Sequence, residues 1–96
     1  MDKYESVIIV KSNLSKKQLE ETTCKVENKI EEFANITQKK DYGTMKLAYE
    51  IRGNDEGHYI SYQFELKKDN NGDSIIELER LYRILDEIIK YIVVKL

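Results

Sequence analysis

Residues Met45–Leu66 read MKLAYEIRGNDEGHYISYQFEL, and this stretch decides the fold. Leu47-Ala48-Tyr49-Glu50-Ile51 alternates large apolar residues with small or polar ones, and Tyr59 to Leu66 does the same, with Ile60, Tyr62, Phe64 and Leu66 in one phase. Successive side chains on an extended backbone point to opposite faces, so this period-two pattern predicts two strands, each buried on one side. Between them, Gly53-Asn54-Asp55-Glu56-Gly57 supplies residue types that tolerate positive φ in a tight connection. The pattern is that of a β-hairpin.

Working outward, Tyr4 to Val10 carries apolar residues in both phases, which predicts a central strand covered on both faces. Ser15-Lys16-Lys17-Gln18 is a capping box, flanked by Leu14 and Leu19 as a hydrophobic staple. Leu19, Thr22, Val26, Ile30 and Phe33 then recur at helical spacing. Ile36 to Asp41 starts a second strand that bends or bulges at Gly43 and continues into Leu47–Ile51. Beyond the hairpin, Lys67 to Asp73 (KKDNNGD) is a loop by composition. Ser74 and Glu77 form a second capping box, before a stripe of Ile75, Leu78, Tyr82 and Leu85. Ile88 to Leu96 closes the chain as a strand. The order is β-α-β-β-α-β in one α+β domain, residues 1–96. Two helices with single apolar stripes must bury them on a sheet, which predicts a ferredoxin-like split β-α-β sandwich: a four-stranded antiparallel sheet with both helices on one face.

That architecture leaves the other sheet face without helices. With Tyr4, Ile8, Val10, Ile60, Tyr62, Phe64, Tyr91 and Val93 on the helix side, the open side carries Val7, Ile9, Tyr59, Ser61, Gln63, Lys90, Ile92, Val94 and Leu96. A contiguous apolar patch of this kind marks a contact surface. Tyr49, Tyr62, Tyr82 and Tyr91 read as core packing rather than as stacking platforms.

Composition narrows the chemistry. The formal net charge of -2 argues against nucleic-acid binding through bulk positive charge, so any RNA contact must use a local cluster of Lys and Arg. One His and one Cys do not make a metal site, and no P-loop, nucleophile elbow or dinucleotide fingerprint is present. His58 stands at a strand end and reads as an edge or core-rim residue; Cys24 has no activating partner and reads as a plain thiol. Glu20-Glu21 and Glu31-Glu32 are consecutive on a helix and diverge, which suits a solvated face rather than acid–base work. The expectation is a protein that is not an enzyme and that takes no cofactor, metal or small-molecule substrate. The lone cysteine suits a reducing, cytoplasmic setting. No apolar run is long enough to span a bilayer, and no signal-peptide pattern opens the chain.

Over essentially its whole length the chain resembles the bacterial small-subunit ribosomal protein six family. The matching features are Tyr4-Glu5 opening the first strand, the aromatic-glycine pair Tyr42-Gly43, Lys46-Leu47-Ala48-Tyr49, Gly57-His58-Tyr59, and the closing Arg83, Lys90 and Val93-Val94-Lys95. The resemblance implies a structural constituent of the small ribosomal subunit. It would bind the central domain of the small-subunit (16S) rRNA together with ribosomal small-subunit protein eighteen, as a heterodimer. Carried across position by position, it implies phosphate contacts at Lys3, Lys46, Arg83 and Lys90. The partner face would comprise Val7, Ile9, Tyr59, Gln63, Ile92 and Val94. Three departures remove positive charge or rigidity: Asp2 stands where the family usually has Arg, Glu50 where it usually has Pro, and Thr44-Met45 where basic residues are frequent.

Other functions fit the same topology. A ferredoxin-like ligand-sensing or dimerisation domain with no RNA role would use the apolar face for self-association. An acylphosphatase-like enzyme would need an Arg in the first loop, where Lys11-Ser12-Asn13 supplies only the Asn.

Overall fold

In the computed structural model, which describes residues 2–68 and 72–96, the hairpin is longer than its alternation suggests. Its arms are β2 (Ala34–Ile51) and β3 (Asn54–Leu66). The connection is two residues, Arg52 (φ 50°) and Gly53 (φ 79°), and not the five-residue Gly53–Gly57 loop; Asn54 to Gly57 already belong to β3. Positive φ at both corner positions matches the right-handed twist of the arms, so the ladder runs to the corner. Asn54 Nδ2 locks it by donating to the carbonyls of Ile51 (3.2 Å) and Arg52 (3.1 Å).

The remaining elements are β1 (Lys3–Lys11), α1 (Lys16–Glu31), α2 (Asp73–Ile84) and β4 (Ile88–Lys95). The sheet order is β2-β3-β1-β4, antiparallel throughout, so the expected split β-α-β sandwich is what forms. The first capping box is present, with Gln18 N–H donating to Ser15 Oγ (3.1 Å) and Ser15 N–H to Gln18 Oε1 (2.9 Å). The second is a correction. Gly72, in the left-handed region at φ 86°, is the N-cap of α2, so Ser74 falls inside the first turn. Asp73 puts a carboxylate at that positive helix end. Of the expected 67–73 loop, residues 69–71 lie outside the described residues.

The core forms where the alternation places it. Ile8, Val10, Ile60, Tyr62 and Phe64 of the sheet meet Val26, Ile30, Leu78 and Tyr82 of the helices, all essentially buried. Tyr4, Tyr91 and Val93 pack at its rim. Tyr4 stacks on Phe64 with ring centroids 5.8 Å apart, and Phe33 meets the same ring edge-on at 5.8 Å. Burying each large side chain contributes roughly 1.5–3 kcal/mol.

The far end of the hairpin departs from a flat sheet. The β2–β3 register slips at Ile36/Gln38, at Asp41/Gly43 and again between Lys46 and Ile51. Each bulge bends the strand and raises its twist. The tip therefore curls over the open face, where Leu47 buries itself against Ile9 and Ile89, flanked by Ile51 and Tyr59. Although β2 and β4 are opposite edges of the sheet, the Tyr49 ring comes within 5.9 Å of Lys90 Nζ. Tyr49 is 65% exposed, which corrects its reading as a core residue: the curl carries it past the end of the sheet.

Candidate partner and nucleic-acid interface

The open face is built mainly by β1, β3 and β4, whose register sets Val7 against Ile92 and Ser61, Ile9 against Tyr59 and Lys90, and Glu5 against Val94 and Gln63. Val7, Ile9, Tyr59, Tyr91 and Ile92 line an apolar depression of about 180 Å³, with Lys90 at its edge. Ile92 and Val94 stand half-exposed beside it. Four of the six expected partner-face residues thus share one concavity. Ile9 is its floor rather than its surface, since Leu47 of the curled hairpin leaves it only 7% exposed. Gln63 lies outside, in a polar half of the face where Glu5 Oε2 accepts from Gln63 Nε2 and Ser61 Oγ, both at 3.3 Å.

The four expected phosphate contacts divide. Lys46 on β2, Arg83 in the last turn of α2 and Lys90 on β4 lie toward the end of the sandwich where β1 finishes. Lys3 begins β1 opposite Glu65 and stands at the other end. Along a nine-residue strand rising about 3.4 Å per residue, that is roughly 27 Å from Lys11. Arg83 Nη1 leans on Tyr91 Oη at 3.4 Å, and all four cations are exposed. Three of them share an end; Lys3 does not.

His58 is tied to its strand neighbour. Its Nε2 lies 2.6 Å from Asp41 Oδ1, which also accepts the Gly43 N–H at 2.8 Å. Partial burial works against ionisation of Asp41, but the Gly43 and His58 hydrogen bonds, with the nearby charges of His58 and Lys39, outweigh it and hold the carboxyl below its ordinary range. The carboxylate thereby pins the bulge that turns Tyr42 outward, 53% exposed. Seventeen positions separate Asp41 from His58, and only the slipped register brings them together.

Two features of the site escaped the sequence reading. The alternation of β4 puts Tyr91 wholly on the helix side, yet it also lines the depression, beside the Ile9/Val10 irregularity in the β1–β4 pairing. The local pattern of Leu47 is that of an ordinary strand residue, and nothing in it signals that Leu47 caps Ile9. Among the described residues no group of three or more His, Cys, Asp or Glu could hold a metal ion, and no helix is long and apolar enough to cross a membrane.

A sequence model of the family described as ribosomal protein S6 matches residues 3–95. The chain is similar to small ribosomal subunit protein bS6 of Alkaliphilus oremlandii, with 33% identity over all of this chain and 98% of that protein. It is 37% identical to bS6 of Christiangramia forsetii, over all of this chain and 83% of the other. Among solved structures, the 30S ribosomal protein S6 of Thermotoga maritima superposes with a TM-score of 0.88 and 31% identity, covering 99% of this chain and 87% of that one.

Proposed function

The chain belongs to the ribosomal protein S6 family, and from that premise we propose that it binds the central domain of 16S rRNA as a heterodimer with ribosomal small-subunit protein eighteen. It is a structural protein of the small ribosomal subunit and not an enzyme. The partnership, the region of RNA and a cytoplasmic, ribosome-associated setting are the proposal.

The observation that carries it is the apolar depression of Val7, Ile9, Tyr59, Tyr91 and Ile92, with Lys90 at its edge. An apolar concavity edged by half-exposed Ile92 and Val94 suits a protein neighbour that removes it from water. The cation at the rim suits RNA alongside that neighbour. We place the phosphate contacts at Lys46, Arg83 and Lys90, with Lys3 apart from this group. With three contacts, each contributing about 0.7–0.9 to the dependence of log K on log salt, the chain's own share of the slope is about -2 to -3.

The test is co-purification followed by titration. The expressed chain should sediment with small subunits and retain protein eighteen, and its affinity for a central-domain transcript, with protein eighteen saturating, should fall with salt at that slope. A chain that forms a stable homodimer on size exclusion and ignores protein eighteen overturns the partnership and favours the dimerisation-domain reading. A slope near zero overturns direct RNA contact.

A further inference from the structure

The two edges of the sheet, β2 and β4, differ in how they are defended. An edge strand presents unpaired N–H and C=O groups, and natural proteins blunt it with bulges and charges. β2 slips register three times and exposes Lys39, Lys40, Asp41 and Lys46. β4 slips against β1 only at Ile9/Val10 and pairs without a break from Lys90 to Lys95. Its stretch Tyr91-Ile92-Val93-Val94 carries no charge, glycine or proline. The hydrogen-bond phase of β4 shows which groups are left over. Leu96 N–H donates to the Lys3 carbonyl at 2.8 Å, and antiparallel pairs alternate between bonded and non-bonded. By the β1–β4 register, Glu5–Val94, Val7–Ile92 and Ile9–Lys90 are therefore the bonded pairs. Tyr91, Val93 and Lys95, opposite Ile8, Ser6 and Tyr4, aim their N–H and C=O groups away from β1. Among the described residues no hydrogen bond reaches those groups.

Donors and acceptors thus recur at every second residue along roughly 14 Å of edge, a spacing that an extended backbone matches. On the open-face side of the same edge, Ile92, Val94 and Leu96 stand exposed in a row. That row runs on from the apolar depression, which Lys90, Tyr91 and Ile92 of this strand line. We propose that an extended segment of protein eighteen adds to β4 as a fifth strand. It pairs with Tyr91, Val93 and Lys95 and lays alternate aliphatic side chains beside Ile92 and Val94. This rests on the heterodimer proposed above and says how the partner attaches. Main-chain hydrogen bonds hold the segment, and the row of side chains selects it. The same pairing shields an edge that would otherwise recruit other strands.

Amide hydrogen exchange, read by NMR on the unaltered chain alone and with protein eighteen saturating, tests this. In the free chain the Ile92 and Val94 amides, bonded to β1, should exchange slowly, and those of Tyr91, Val93 and Lys95 rapidly. In the heterodimer the latter three should slow by about tenfold or more. A heterodimer in which they still exchange rapidly overturns the inference and leaves the partnership standing. No binding of protein eighteen overturns both. Slowing that appears without protein eighteen and grows with the chain's own concentration gives the edge to a second copy, and overturns this choice of occupant. A pair of variants separates strand pairing from simple coverage. Val93→Pro removes an outward donor without touching the β1 ladder, at a position where an edge strand accepts proline. It should bind protein eighteen about tenfold or more weakly than Val93→Ala, which keeps the N–H. Equal affinities overturn the inference; where Val93→Pro does not fold, the exchange data decide.

Discussion

Two buried tyrosines show how much rests on single polar atoms. The Tyr82 hydroxyl lies 2.7 Å from Ser6 Oγ, both side chains in the core. Tyr82→Phe leaves the Ser6 hydroxyl without that partner, and an unmade buried hydrogen bond costs about 1–3 kcal/mol. Adding Ser6→Ala should recover much of this, because removing both partners is close to neutral; chemical denaturation of the two single variants and the double variant reads the coupling. Tyr62 donates to Glu27 Oε2 at 2.8 Å, and Lys39 Nζ reaches the same oxygen at 2.7 Å. Burial, then the adjacent Glu27 carboxylate, pushes the Tyr62 phenol well above its ordinary value; burial also raises Tyr82, against the opposing Ser6 bond. For an acid whose folded pKa is raised, the unfolded chain loses its proton first. The contribution to stability is therefore whole below the unfolded value of about 10 and is lost as pH rises beyond it. Unfolding free energy should fall steadily above pH ~10. In an ultraviolet titration, these two of the seven tyrosines should ionise last.

At the scale of the element, the curled hairpin depends on a missing side chain. Gly57 is buried, and a Cβ there would overlap Ile9 Cγ2 and lie 3.6 Å from Ile89 Cδ1. Ile9 is β-branched and held beneath Leu47, so its methyl has little room to withdraw. Gly57→Ala should cost about 1–3 kcal/mol by overpacking, and Ile9→Ala in the same chain should relieve part of that. Urea midpoints decide it: additive losses would mean the two positions do not meet. The same tip carries Arg52 at φ 50°, a conformation unfavourable by roughly 1–2 kcal/mol for most L-residues. Arg52→Asn creates Asn-Gly, the pair preferred in a two-residue turn with positive φ at both corners, and should raise stability by up to about 1 kcal/mol in the same assay.

For the whole molecule, the two sheet faces differ in what a substitution should do. The helix face is closed around Tyr62, Phe64, Leu78 and Tyr82, so truncations there act on folding. The open face is covered by the chain's own hairpin only at one end, leaving Ile92 at 50% and Val94 at 44% exposure. A charge at either position should leave the melting temperature nearly unchanged. Ile92→Asp should weaken the proposed heterodimer by at least tenfold, about 1.4 kcal/mol, because apolar anchors dominate interfaces and a buried unpaired charge is costly. Calorimetric titration with protein eighteen measures it; unchanged affinity would remove this face from the partner surface.

Much of this was legible in one dimension. Strand phase, helix spacing, the Ser15–Gln18 capping box and the division between helix face and open face follow from neighbours two to four positions apart. The β-α-β-β-α-β order follows from those elements. The sequence by itself therefore determined which side chains face inward, because inward and outward are settled by local backbone geometry. Only the tertiary structure decided that Leu47 covers Ile9, that Tyr49 lies exposed beside Lys90, that Asp41 meets His58, and that Lys46, Arg83 and Lys90 share an end while Lys3 does not. The first three depend on three register slips in one hairpin and the last on strand order, and a slip displaces every later partner without marking any single residue.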